Sequence, residues 1–106
     1  MNMDVTLSHD VVEHLQNLEL GSKQDLSEKV RLLLIAEYRR RLTRYHLTNE
    51  QLSQKYNMDF EAFEQQQMTR QQGYSWEVES DAISWETAVD GITTVQRQLK
   101  ELTVKD

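Results

Sequence analysis

Apolar and polar residues first alternate along this chain, then settle into helical spacing. Met3, Val5 and Leu7 alternate with Asn2, Asp4 and Thr6, the period-2 pattern of a short half-buried strand. Ser8 then stands where a helix N-cap belongs. Val11, Leu15 and Leu18 fall on one face of a helix predicted from Asp10 to about Leu20, with Gly21 as its stop. Asp25 and Glu28 mark the next start as a capping box, each side chain able to satisfy a free amide of the first turn. That helix is predicted from Leu26 to about Tyr45. Leu26, Val30, Leu33 and Leu34 form its stripe, and Leu32, Ile35 and Ala36 widen the stripe almost all round. A helix apolar over most of its girth is buried over most of it. In so small a chain that burial calls for a second subunit. Arg39, Arg40, Arg41 and Arg44 crowd the C-terminal end, where cations complement the helix dipole.

Thr48 and Gln51 repeat the capping pattern and predict a short helix over Glu50–Tyr56, with Asn57 as terminator. Asp59 is placed to cap a helix from Phe60 to about Gln72, with Phe60, Phe63 and Gln67 on one side and Gly73 ending it. Five of the eight residues from Gln65 to Gln72 are Gln, a good helix former. Tyr74 to Ser80 is expected to be an extended hinge. Ser80 or Asp81 would cap a last helix reaching about Leu102. Its Ala82, Trp85, Val89, Ile92, Leu99 and Leu102 approach a heptad seam, with Gln96 at the skipped position. The pattern predicts a mainly α fold: a short N-terminal strand and two helices, then a helical C-terminal region.

Composition sets limits on this picture. At 106 residues the chain is one domain, or a small domain with an appendage. With 38% apolar residues and a mean hydropathy of −0.74, a monomeric core would be thin. There is no proline and there are three glycines, which favours long helices over tight turns. Without cysteine, disulfides, thiolate metal sites and a Cys nucleophile are excluded. The longest apolar run, Leu32 to Ala36, is far short of the roughly 20 residues of a membrane span. No basic region followed by an apolar stretch opens the chain, so a cytoplasmic location is expected.

The net charge of −6 is uneven: residues 1–46 hold seven basic and seven acidic residues, residues 47–106 five and eleven. Two regions with two roles would explain this, the acidic one facing a basic partner, although simple solubility would also produce it. Catalytic chemistry finds no foothold. His9 and His14 are five apart rather than four, and no HExxH motif occurs. His46 stands alone. There is no glycine-rich phosphate loop and no Gly-x-Ser-x-Gly elbow. No enzyme, metal site or cofactor is expected.

The most informative segment is Trp76 to Glu86, and from Gln71 to Gln96 there are five acidic residues and no Lys or Arg. Trp76, Trp85 and Tyr74 are interleaved with Glu77, Glu79, Asp81, Glu86 and Asp90. Aromatic anchors dominate many interfaces, and neighbouring carboxylates steer a basic partner into register. Phosphates would be repelled, which argues against nucleic acid here. The competing reading is that both Trp rings fill the chain's own core.

Two resemblances organise these features. Residues 1–46, with their short strand, helix, Gly-containing turn and long apolar helix, resemble a ribbon–helix–helix domain. The resemblance implies a dimer built on Met3, Val5, Leu7, Leu26, Val30, Leu33 and Leu34. It implies DNA contacts from Asn2, Asp4 and Thr6 on the strand, and phosphate contacts near Ser22, Lys23 and Gln24. Asp4 departs from that pattern, since a carboxylate in the major groove repels phosphate and reads a base only by accepting from cytosine. The stretch from Lys55 to Glu64, with Tyr74 to Asp81 and Trp85-Glu86, is similar to the C-terminal half of small prokaryotic antitoxins of type II toxin–antitoxin pairs. That implies a dimerising N-terminal region, of a kind that often represses its own operon at operator DNA, and residues 47–106 occluding a basic, ribonuclease-type toxin. The toxin-binding residues would be Tyr74, Trp76, Glu77, Val78, Glu79, Asp81, Trp85, Glu86 and Asp90. A stand-alone DNA-binding regulator and a helical scaffold dimer without nucleic acid stay open beside it.

Overall fold

A computed structural model describes residues 6–18 and 25–103. The chain divides into two compact units, residues 1–37 and 38–106. Five helices follow in order: α1 (His9–Asn17), α2 (Leu26–Tyr56), α3 (Phe60–Gln65), α4 (Met68–Gln71) and α5 (Trp76–Thr103). The boundary between the units falls inside α2.

The mainly α class stands, but the strand does not. Among the described residues there is no strand, and Thr6 and Leu7 precede α1 without regular structure. Met3 and Val5, on which the alternation mostly rested, lie outside the described residues, as does Gly21. The ribbon–helix–helix architecture is therefore corrected to a helical one. Six alternating residues need a partner strand to satisfy their backbone groups, and none is found among the described residues.

In the first unit, Ser8 is the N-cap of α1 through its carbonyl, which accepts from Val12 N at 3.1 Å. Its hydroxyl bonds Asp10 instead, and that bond lowers the Asp10 carboxyl below its usual range. The Asp25 cap of α2 forms as expected, with Glu28 N donating to Asp25 Oδ1 at 2.7 Å. Lys29 lies 2% exposed and donates from Nζ to Leu15 O (3.0 Å) and Gln16 O (3.1 Å). A cation thus closes the carbonyl end of α1, where the helix dipole favours it. Among the described residues of this unit Leu15 and Ile35 are the buried apolar side chains, whereas Leu7, Val11, Leu18, Val30, Leu33 and Leu34 stay 37–43% exposed.

The helix expected to stop near Tyr45 does not stop. It continues unbroken to Tyr56, so the predicted short helix over 50–56 is its last two turns. No glycine or proline interrupts residues 40–55, and a Thr at a potential cap position does not break a helix whose flanks both pack. Asn57 does end it, at φ 55°, with Met58 N donating to Ser53 O at 3.2 Å in a Schellman closure. Asp59 then caps α3, its side chain accepting from Ala62 N at 2.8 Å.

The single helix expected over Phe60–Gln72 is broken at Gln67, which takes φ 51°. A continuous helix would set Met68 roughly 140° around the axis from Phe63. The break turns Met68 back onto the aromatic core instead. Gly73 (φ 69°) closes α4, with Tyr74 N donating to Thr69 O at 2.9 Å. The extended hinge over 74–80 is also corrected. The fifth helix starts at Trp76, capped by Ser75, whose Oγ accepts from Val78 N at 3.3 Å. Glu77 and Glu79 lie in its first turn, where negative charge faces the positive end of the dipole.

Within the second unit, α2 and α5 run antiparallel. Tyr45 meets Gly91, Asn49 meets Trp85, and Lys55 and Tyr56 meet Asp81. The third and fourth helices pack on α5 and on each other. Leu52, Phe63, Val78 and Trp85 are the buried centre, with Tyr56, Met58, Phe60, Met68, Ala82 and Val89 around them. The seam of α5 continues through Ala88 and Val95, not through Gln96. Positions 78, 85, 92 and 99 and positions 81, 88, 95 and 102 both repeat every seven residues, the spacing of a coiled-coil seam.

Candidate protein-interaction surface

A straight helix of 3.6 residues per turn sorts α5 into two faces. Val78, Ala82, Trp85 and Val89 share the inner one. Trp85 is 0% exposed and is held from every side. Its ring centroid lies 5.1 Å from Phe63, 5.4 Å from Phe60 and 5.9 Å from Tyr56, within the range of favourable aromatic pairs. The indole Nε1 donates to Asn49 Oδ1 at 2.7 Å. Of the two Trp residues, Trp85 therefore fills the chain's own core, together with Val78.

Trp76 is different: it is 81% exposed. Seven residues on, and so on the same outer face, Ile83 is 66% exposed. Glu79, Ser80, Thr87 and Asp90 flank this pair along the same side, and Glu86 lies at its edge. An exposed Trp and Ile two turns apart therefore share the outer face of α5 with carboxylates. Sequence reasoning missed Ile83. The signal was present in its i, i+7 spacing from Trp76, but the expected hinge over 74–80 hid it.

The five carboxylates divide as well. Lys55 Nζ binds Asp81 Oδ2 at 2.6 Å and Glu77 Oε1 at 2.7 Å, and Tyr56 Oη donates to Asp81 Oδ2 at 2.6 Å. Burial would raise the Asp81 carboxyl, but the hydrogen bonds from Lys55 and Tyr56 outweigh it and hold it below the usual range. Burial, then the bond to Asp81, push the Tyr56 phenol up to about 12. Bonds to Asp81 and then Glu77 raise the Lys55 ammonium. These two carboxylates fasten the start of α5 to the end of α2. Among the described residues, Glu79, Glu86 and Asp90 have no ion-pair partner; Glu86 and Asp90 are exposed and Glu79 is half-buried. Tyr74, 58% exposed, and Glu86 both line a cleft of about 340 Å³.

Of the residues expected at DNA, Asn2, Asp4, Ser22, Lys23 and Gln24 lie outside the described residues, and Thr6 is exposed. Among the described residues, no three His, Asp or Glu side chains converge as a metal site, and no helix is long and apolar enough to cross a membrane. Comparison with protein-family models, curated proteins and solved structures finds no match for this chain.

Proposed function

We propose that this chain is a protein-binding protein of the antitoxin kind, which self-associates through its first unit and occludes a basic partner with the outer face of α5. The observation that carries this is the Trp76–Ile83 patch with its rim of unpaired Glu79, Glu86 and Asp90. An exposed indole on a rigid helix costs little entropy to order on binding, and truncating such an anchor costs about 2 kcal/mol or more. The carboxylates attract and orient a cationic surface such as one built for RNA phosphate. Unit 1 supports self-association. Six apolar side chains left half-open among its described residues would find their match in a second copy, which offers the same side chains about a two-fold axis.

The test is co-expression with the product of the adjoining reading frame. The expected outcome is a neighbour that arrests growth alone, is harmless with this chain, and co-purifies with it. Trp76→Ala combined with Ile83→Ser should weaken the complex about thirtyfold while helicity stays unchanged. Absence of both complex and growth arrest overturns the antitoxin reading. Full affinity in the double variant overturns the assignment of this face.

A further inference from the structure

The cleft beside α5 offers more specific chemistry than the open patch. Phe60, Met68 and Tyr74 form its walls, and Glu64 and Glu86 stand among its lining residues on opposite helices, α3 and α5. At about 340 Å³ it lies at the low end of small-ligand pockets. Among the described residues neither carboxylate has an ion-pair partner. Arg70, the cation of the lining, is engaged by Gln67 Oε1 at 3.4 Å rather than by Glu64 or Glu86. A cleft lined by aromatic rings, a thioether and two carboxylates without ion-pair partners is complementary in chemistry to a guanidinium. A guanidinium stacks flat on aromatic faces, lays its aliphatic stem on apolar surface, and presents parallel N–H donors to carboxylates.

We propose that the Phe60–Met68–Tyr74 cleft is a socket for an arginine side chain of the partner protein, gripped by Glu64 and Glu86. This rests on the reading of the second unit as partner-binding, and it deepens that reading by naming the key the partner inserts. A lysine, a compact ammonium without a planar face, fits the walls less well.

The test uses the full chain and needs no toxin. A pentapeptide with arginine between alanines is titrated against the ¹⁵N-labelled protein, beside the same peptide with citrulline, the neutral isostere, at its centre. Saturable shifts are expected at Met68, Tyr74 and Glu86, with citrulline binding about tenfold more weakly, the loss of a charge-assisted contact. Glu64→Gln with Glu86→Gln should weaken the arginine peptide by about the same factor, with an unchanged circular dichroism spectrum. Equal binding of citrulline, shifts centred elsewhere, no shifts, or an unaffected double variant each overturn the socket. Any of these results leaves the Trp76 dependence of the neighbour complex as a separate measurement, so the two readings fail separately.

Discussion

Replacing Trp85 by alanine removes the ring on which the second unit is organised. The side chain is wholly buried and contacts Tyr56, Phe60 and Phe63. A buried Trp→Ala change costs about 3–5 kcal/mol through lost transfer energy and residual cavity. It also strips Asn49 Oδ1 of its indole donor, a further loss of about 1 kcal/mol. A unit of about 70 residues has roughly 3–10 kcal/mol of stability in total. Trp85→Ala is therefore expected to leave the second unit marginal or unfolded, with a urea midpoint far below wild type. Trp76→Ala, at a ring that is 81% exposed, should stay within about 0.5 kcal/mol. Far-UV circular dichroism in urea measures both. In a Trp76→Phe background Trp85 is the lone indole, and its emission should shift red in step with the loss of ellipticity. A Trp85→Ala loss under about 1.5 kcal/mol, or a Trp76→Ala loss larger than it, would refute the division of α5 into a structural and an outward Trp. On the proposed reading, a partner-binding defect in Trp85→Ala would report unfolding, whereas one in Trp76→Ala or Ile83→Ser would report lost contact.

Three more outcomes follow from the geometry. A Cβ added at Gly91 would lie 2.5 Å from Tyr45 Cε2, so Gly91→Ala should destabilise by about 1–2 kcal/mol despite alanine's better helix propensity. Combined with Tyr45→Ala, the same change should become stabilising, which a double-mutant cycle in urea measures. For Asp81, whose carboxyl is held low, the contribution to stability is complete above the ordinary carboxylate value and is lost as pH falls through the lowered one. For Tyr56, raised to about 12, stability is complete below the ordinary phenol value near 10 and falls as pH rises toward 12. Asp81→Asn should flatten the acid limb of a melting-temperature profile and lower its neutral plateau. Lys29→Met deletes the two bonds to the end of α1; a loss of about 2 kcal/mol should appear as faster amide exchange over residues 12–17, with α5 unaffected.

Local chemistry was legible at several caps and stops where a residue acts on its own backbone. Asp25, Asp59, Asn57 and Gly73 each do what their residue type implies, because a cap or a left-handed residue needs no distant partner. Boundaries that depend on packing were not legible. Thr48 looked like a start, yet Tyr45 before it meets Gly91 while Asn49 and Leu52 after it are held by Trp85 and the core, and the helix runs through. Gln67 looked helical, yet Met68 is drawn into the core beyond a left-handed break. Ser80 or Asp81 was the expected cap of the last helix, and Ser75 takes that place instead. The ion pairs of Lys55 with Glu77 and Asp81, more than 20 residues away in sequence, hold the earlier turn against α2.

What the sequence determined by itself is a proline-free, mainly helical, acidic chain with an aromatic and carboxylate-rich stretch between residues 71 and 96. Composition, periodicity and capping are local, additive signals, and they are readable in one dimension. Which Trp is core and which is surface was decided only by the tertiary structure. Trp76 and Trp85 sit in similar acidic surroundings, but nine residues along a helix amount to two and a half turns. The two rings therefore point in opposite directions, and only the position of α2, α3 and α4 determines which direction is inward. The same packing decided that Glu77 and Asp81 are fastened to Lys55 while Glu79, Glu86 and Asp90 remain free. An ion pair forms where two chain segments meet, and that meeting is a property of the fold.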